Sequence, residues 1–396
     1  MKNLVLVLNC GSSSIKSVLI DHKSGQIQIS YLAEKLNSSS AQLHIRQGET
    51  KGLVNLSCNF THEGALEALL KDLEERGLYK NIQAVGHRVI HGGEAFKAST
   101  LITDTVLRAI EDCIVLAPLH NPANLQGIRL AQRIFPQLPQ VAVFDTSFHQ
   151  TMPRHAYLYG IPLGYHEKYG IRKYGMHGTS YRYVSEEARL FLRGRGKAIS
   201  TMVIAHLGNG ASLCAVIEGQ SMDTTMGLTP LEGLIMGTRS GSVDPNIFTF
   251  LQENAHMGIK ETTQLLNLES GLLGISGVSN DLREITQAAE QGNEQAQLAL
   301  QMFTYRIAQG IAAMAIATKK IEALVFTGGI GEHSALVRKS VVDQLSILGF
   351  VLDDLANESV IEGEISVLSR RGPVILVIPT NEELMIAKDT ARLASL

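Results

Sequence analysis

The sequence predicts an α/β protein of two related domains, and three observations carry that reading. Its 396 residues exceed one ordinary hydrophobic core and point to two domains. Helical patterns and short apolar strands alternate along the chain, which indicates α/β construction. A glycine-rich β-hairpin pattern occurs twice, at the start and about halfway along, in the order strand, turn, strand each time.

The first hairpin spans Leu4 to Ile20 and turns at Asn9-Cys10-Gly11-Ser12-Ser13-Ser14. Helices are expected at Gly64 to Arg76, Thr103 to Cys113, Ala123 to Phe135 and Ser180 to Leu192, with buried strands at Ala84 to Ile90 and Val141 to Phe144. Asp145 to His177 reads as irregular and rich in Gly, Pro, Tyr and His, which suits a domain junction with functional loops, so a boundary is expected near residue 150. The second hairpin, Thr201 to Ile217, turns at Gly208-Asn209-Gly210-Ala211-Ser212. Asn293 to Lys320 reads as a long core helix feeding the strand Ala323 to Phe326 and the turn Thr327-Gly328-Gly329-Ile330-Gly331-Glu332. The last strand, Val374 to Ile378, meets Pro379-Thr380-Asn381-Glu382-Glu383 and a closing helix to about Ala394.

Composition narrows the function. With 45% apolar and 18% charged residues the chain reads as a well-buried globular protein. A net charge of −3 and no long basic run leave a nucleic-acid surface without an electrostatic source. The apolar start Leu4 to Leu8 is too short for a signal sequence or a membrane span, so a cytoplasmic protein with no membrane partner is expected. Cys10, Cys58, Cys113 and Cys214 are scattered without a CxxC pair, which favours reduced structural thiols over disulfides or zinc.

Several segments can carry chemistry. Small residues in both hairpin turns let backbone N–H groups approach phosphate oxygens, and Lys16 adds a positive charge beside the first turn; the alternative for Lys16 is a solvated strand lysine. The Walker pattern is absent, so a hairpin cradle replaces the ordinary P-loop. The glycines after Ala323 to Phe326 leave bare backbone for a nucleotide, or form a simple turn. Arg88, within Gly86-His87-Arg88, stands in a strand that reads as buried and therefore needs an anionic partner, either a structural carboxylate or a ligand. Arg239, in Thr238-Arg239-Ser240-Gly241, is a second guanidinium able to grip carboxylate or phosphate oxygens through paired hydrogen bonds. Asp145 ends a strand, where α/β enzymes present working side chains, although a helix cap is equally open. His120 and His177 lie in loops marked by proline or glycine and match no zinc spacing. Glu382 and Glu383 open the last helix, where the dipole alone favours a carboxylate.

Taken together these segments resemble the acetate kinase family, within the larger group of acetate and sugar kinases, Hsp70 and actin. The resemblance rests on Asn9 to Lys16, Gly86-His87-Arg88, Pro118-Leu119-His120-Asn121-Pro122, Phe144-Asp145-Thr146 and His177-Gly178-Thr179-Ser180. It continues through His206 to Gly210, Met222-Asp223-Thr224, Gly237 to Gly241, Gly328 to Glu332 and Pro379 to Glu383, in family order over nearly the whole chain. It implies two related ribonuclease H-like (actin-like ATPase) domains with a nucleotide cleft between them. The domains would be 1–150, completed by a helix of about 382–396, and 151–381. It further implies Mg²⁺, or Mn²⁺, held by Asn9 and Glu382, with ATP or ADP as co-substrate. The nucleotide would meet Lys16, then His206, Leu207, Gly208, Asn209 and Gly210, then Asp281, Leu282 and Arg283, and then Gly329, Ile330, Gly331, Glu332 and His333. Arg88 and Arg239 would bind acetate and the moving phosphoryl group, with His177 stabilising the transition state and Asp145 orienting groups. His120 would also face the acceptor, whose methyl group would lie among Ile90, Leu119, Met176 and Pro230. The bulk of Ile90 favours acetate over propionate, and the resemblance implies a homodimer.

Three positions depart from the family pattern: Met176 stands where Phe is usual, Tyr181 where histidine is common, and His333 where asparagine is usual. Rival readings are a propionate or butyrate kinase on the same fold and, in another class, an Hsp70- or actin-like ATPase. The ATPase has no need of Arg88 and Arg239.

Overall fold

The computed structural model describes residues 3–56, 59–118 and 120–396, so Cys58 and the pocket candidate Leu119 lie outside the described residues. The chain divides into a first compact unit, Met1–Phe148 with Asn381–Leu396, and a second, His149–Thr380.

The first unit is built on β1 (Leu4–Cys10), β2 (Ile15–Asp21), β3 (Ile27–Glu34), β4 (Gln42–Gln47), β5 (Thr50–Asn55), β6 (Ile82–Val89), β7 (Thr100–Leu101) and β8 (Gln140–Phe144). They form one sheet in the order β5-β4-β3-β2-β1-β6-β8-β7, in which β1, β6 and β8 run parallel. The uninterrupted apolar run of β1 follows from burial on both faces of the sheet. Leu4, Leu6 and Leu8 pack with Leu66, Leu69 and Leu130 on one side, while Val5 and Val7 pack with Ile386, Ala387 and Ala391 on the other. The second face is thus covered by the helix Glu382–Leu393. Asn381 caps that helix by accepting from the Leu384 N–H at 2.9 Å, and Glu382 and Glu383 in its first turn suit the helix dipole.

The second unit repeats this plan with β9 (Thr201–Leu207), β10 (Ala211–Ile217), β11 (Gln220–Thr224) and β12 (Ala323–Thr327). A small ribbon of β13 (Val351–Leu352) and β15 (Ser369–Arg371) stands apart, while β14 (Ser366–Val367) and β16 (Val374–Val377) join the main sheet. Its order is β11-β10-β9-β12-β16-β14, so the succession β3-β2-β1-β6-β8 of the first unit has a counterpart strand for strand. The helix Glu294–Thr318 buries Phe303, Ile307 and Ile311 and packs on β9 and β10.

Three segments differ from the sequence expectation. The chain before residue 60 adds strands β4 and β5, whose outer member is exposed along its length and lacks an alternating apolar signal. Between Asp145 and His177 lie short helical turns at Ser147–Thr151, Arg154–Tyr157 and Gly164–Tyr169, too brief to show a helical period. Gly328 to His333 is a helix rather than an open turn. Gly328 has φ +76, and a Cβ there would come 2.8 Å from the Leu207 carbonyl oxygen, so only glycine lets the chain leave β12 this way. Glu332 then accepts the Gly328 N–H at 2.8 Å and holds the first turn closed.

Gly86 in β6 lies under the C-terminal helix, where a Cβ would fall 2.4 Å from Thr390 Oγ1 and 2.8 Å from Ile386 Cγ2. Thr390 is fully buried and donates to the Ile386 carbonyl at 2.7 Å, so it has no room to turn away. Gly86→Ala is expected to destabilise the protein by about 1–3 kcal/mol through overpacking, read as a lower urea midpoint at unchanged m-value.

Glu322 anchors the start of β9 by accepting from the N–H groups of Ser200 and Thr201 at 2.8 and 3.0 Å. Its carboxyl group is held down to about 2 by the Lys320 ammonium first, against the opposing effect of burial, and then by those N–H donors. A depressed folded-state pKa contributes stability above the unfolded carboxyl value of about 4.3, and that stability is lost as pH falls toward the folded one. Wild type should therefore exceed Glu322→Gln in stability at pH 7, with the gap narrowing below about pH 5 in urea melts. A gap independent of pH would exclude this linkage.

Candidate active site

In the first unit the two-residue alternation of strands decides which side chains gather. Val5 and Val7 face the C-terminal helix, so Asn9 does too; Gly86 faces it, so Arg88 does; Val141 and Val143 face it, so Asp145 does. Lys16 is the cross-strand partner of Asn9 and shares its face, exposed where Asn9 is half-buried. Because β1, β6 and β8 are parallel, these residues stand at the carboxyl ends of the strands, the usual ligand edge of an open α/β sheet.

Arg88 is the centre of this group. Its Nη2 donates to Asp145 Oδ2 at 2.7 Å and its Nε to both carboxylate oxygens at 3.1 and 3.2 Å, while Nη1 lies 3.5 Å from Glu382 Oε2. The Asp145 side chain is 2% exposed and that of Arg88 19%. Burial alone would lower the Arg88 guanidinium, but the charges of Asp145 and then Glu382 more than offset it and raise it above its ordinary range. Asp145 thus clamps Arg88 through both carboxylate oxygens. His87, its neighbour, is a core histidine bonded to Gln140 at 2.8 Å, with burial pushing it down to about 4.

Sequence reasoning passed over two buried asparagines of the helix Asn121–Ile134. Asn124 donates to the Cys10 carbonyl at 2.8 Å and accepts from the Ile90 N–H at 3.1 Å, tying the end of β1 to the end of β6. Asn121 accepts from the His91 N–H at 3.2 Å and donates to the His91 carbonyl at 3.0 Å. The motif Pro118 to Pro122 was the available signal. Ile90 is half-buried, and His120 is exposed ahead of that helix.

In the second unit Arg239 sits in a loop stitched to its surroundings by main-chain bonds, among them Ser270 N–H to the Thr238 carbonyl at 3.0 Å and Ser240 N–H to the Leu266 carbonyl at 2.9 Å. The guanidinium is half-buried, and Nη1 donates to the Pro230 carbonyl at 2.7 Å. Among the described residues no carboxylate pairs with it, and burial lowers its pKa with no charged neighbour to offset the shift. His177 caps the helix Gly178–Arg193 from the left-handed region at φ +58, stacks on His206 at 4.2 Å, and meets Ser212 Oγ through Nδ1 at 2.8 Å. A Cβ at Gly210 would lie 2.9 Å from Arg239 Nη2 and 3.5 Å from His177 Nε2, so both groups converge on that glycine. Met176 is buried beside them in sequence, its carbonyl meeting His149 Nε2 at 2.9 Å.

A pocket of about 840 Å³ opens in the same unit, lined by Gly208, Asn209, Asp281, Arg283, Gly329 and His333 among others, a volume within the usual range for a small ligand. Leu282 and Ile330 also reach it. Leu207, fully buried in β9, and Gly331, buried in its helix, do not line this pocket. The Glu332 carboxylate accepts from Gly328 and Thr380 N–H groups at 2.8 and 3.1 Å and serves as an internal staple of this turn. Ser180 Oγ meets His206 Nδ1 at 2.9 Å and Thr380 Oγ1 at 2.8 Å.

Asn9 and Glu382 present oxygen donors only, an amide and a carboxylate whose side chain is 16% exposed, which fits a hard cation that keeps water and phosphate ligands. Among the described residues no group of three or more His, Cys, Asp or Glu gathers as an all-protein metal cage, and no helix is long and apolar enough to cross a membrane. Cys10, Cys113 and Cys214 are free and buried.

An α/β fold duplicated around glycine-rich hairpins, with Arg88 at a strand end and Arg239 in a loop beside the second hairpin turn, fits a phosphotransferase. The pattern of the acetokinase family matches residues 4–388, and the chain belongs to that family, whose members transfer phosphoryl groups to a carboxyl acceptor. It is 54% identical to acetate kinase 1 of Neisseria meningitidis serogroup A over 397 aligned positions, covering all of both chains, and 51% identical to the acetate kinase of Chromobacterium violaceum, again over the whole of both. Among solved structures, it matches a propionate kinase from Francisella tularensis at TM-score 0.94 and 46% identity, covering 99% of this chain and 100% of the other. It matches Porphyromonas gingivalis acetate kinase at TM-score 0.93 and 42% identity, covering 99% of each.

Asp145→Asn keeps the shape of the clamp but removes its charge, leaving Arg88 with Glu382 at 3.5 Å. A drop in kcat/KM of roughly 10-fold or more is expected, with stability lowered by about 1–3 kcal/mol. If Asp145 acts only by holding Arg88, the pH profile of the residual activity keeps its shape; loss of the acid-side limb would make Asp145 a proton acceptor instead.

Proposed function

We propose that the protein reversibly transfers the γ-phosphoryl group of ATP to acetate, giving acetyl phosphate and ADP by direct in-line transfer. The observation that carries this reading is Arg239, a half-buried guanidinium whose one hydrogen-bond acceptor among the described residues is the Pro230 carbonyl. Such a group calls for an anion, and phosphoryl transfer to a carboxylate brings anionic oxygens on both reactants. A carboxylate is already nucleophilic, so the protein's task is alignment and charge neutralisation rather than activation by a strong base.

In this proposal Arg239 and Arg88 grip the acceptor and the moving group, Asp145 fixes the Arg88 fork, and His177 donates to a phosphoryl oxygen as charge develops. His206 to Gly210, Asp281 to Arg283 and Gly329 to His333 receive the nucleotide, which the pocket beside Gly208 supports by its size and lining. Lys16 adds positive charge beside Asn9. Asn9 and Glu382 would hold Mg²⁺ or Mn²⁺, which when bound neutralises charge on phosphate oxygens. Ile90, Leu119, Met176 and Pro230 are proposed to surround the acceptor methyl group, with His120 nearby. A cytoplasmic location and a homodimer belong to the same proposal, the homodimer resting on the family resemblance alone.

Propionate is the second reading, favoured by the likeness to the Francisella tularensis propionate kinase. One methylene in an apolar pocket is worth only about 1–3 kcal/mol, so some propionate turnover accompanies acetate turnover. Initial rates of ADP formation with Mg-ATP and acetate, propionate, butyrate or no acceptor test the proposal. Acetate is expected to give the highest kcat/KM. Arg239→Ala should lower it by about 2–5 kcal/mol of transition-state binding, roughly 30-fold to several-thousand-fold. Turnover indifferent to every carboxylate would replace this reading with an ATPase on the same fold.

A further inference from the structure

We propose that Tyr181 is a positioning residue that sets the tautomer of His177 through Ser212, leaving the imidazole Nε2 as a hydrogen-bond donor beside Arg239. Tyr181 and Ser212 are both fully buried, and their hydroxyl oxygens lie 2.5 Å apart. Ser212 Oγ in turn lies 2.8 Å from His177 Nδ1. Among the described residues the Tyr181 hydroxyl meets Ser212 alone, and Ser212 Oγ meets Tyr181 and His177 alone.

The directions follow from counting donors. The buried phenolic O–H finds one acceptor, Ser212 Oγ, so it donates there. Ser212's own hydrogen then has one acceptor left, His177 Nδ1. Reversing either bond strands a buried O–H, which costs far more than a hydrogen bond contributes. Nδ1 is therefore the acceptor nitrogen, and in the neutral ring the hydrogen sits on Nε2. Nε2 is the nitrogen that points toward Gly210, on the side where Arg239 Nη2 also lies. The left-handed His177 backbone and the next helical turn fix the partners: the Tyr181 N–H bonds the His177 carbonyl at 3.0 Å, which places the phenol one turn below the imidazole.

A donor at Nε2 suits an oxygen that gains negative charge, whereas a bare nitrogen there would repel it. That consequence rests on the proposed role of His177; the tautomer itself does not. NMR of the full-length protein labelled with ¹⁵N-histidine reads it without turnover, using His177→Gln to identify the resonances. The expected result is a hydrogen-free Nδ1 and a protonated Nε2 in wild type.

Tyr181→Phe keeps the buried ring while freeing Ser212 to donate or accept, so both tautomers should appear. With it, kcat should fall about 3- to 10-fold, the size of one hydrogen bond, while KM for acetate and ATP stays within about twofold. Ser212→Ala should act at least as strongly, and Tyr181→Phe should add nothing to it, because the two act through one chain. A wild-type His177 carrying its hydrogen on Nδ1, or a tautomer ratio unmoved by Tyr181→Phe, would overturn the relay. The expected tautomers in an enzyme whose kcat ignores both substitutions would overturn the role of the relay in transfer while leaving the acceptor site intact.

Discussion

A guanidinium cannot remain half-buried without acceptors, and this constraint organises the charged residues of both units. In the first, Arg88 is neutralised twice, by a three-contact clamp from Asp145 and by Glu382 at the start of the C-terminal helix. In the second, Arg239 donates to a carbonyl and, among the described residues, to no carboxylate. One arginine is thus paired with carboxylates and the other with a main-chain oxygen.

The clamp depends on the sheet. Parallel β1, β6 and β8 bring Asn9, Arg88 and Asp145 to one edge, and the period of two turns all three toward the helix Glu382–Leu393. That helix can approach because Gly86 has no Cβ to meet Thr390 and Ile386. Helix approach, strand register and the Glu382 contact are therefore one packing solution, and the stability of the core and the placement of charge cannot be separated there.

The second unit uses hydroxyl groups where the first uses carboxylates. Ser212 and Tyr181 stand behind His177, while Ser180 and Thr380 stand behind His206, and the two imidazoles stack at 4.2 Å. Hydroxyls donate and accept without carrying charge, so they orient an imidazole in a buried setting at little electrostatic cost. The Glu332 carboxylate serves a comparable end, closing the turn after β12 onto Thr380 instead of reaching into the pocket.

The duplicated hairpins, the alternation of elements and the motif residues were all legible in the sequence, because strand apolarity, glycine turns and paired helix signals are local. The same locality explains the misses: β5 carries no alternating pattern, the helical turns of residues 147–169 are shorter than a period, and Gly328 to His333 winds into a helix only because Glu332 folds back on it. What the sequence by itself determined was that the arginine in an apolar strand must meet an anion wherever the chain takes it, and its motifs in family order gave the class of chemistry. Only the tertiary structure decided that Arg88 meets Asp145 and Glu382 while Arg239 meets the Pro230 carbonyl, that Asn121 and Asn124 pin the strand ends, and that Tyr181 stands behind His177. Those partners are separated by up to hundreds of residues and are chosen by sheet order and packing, which no local pattern encodes.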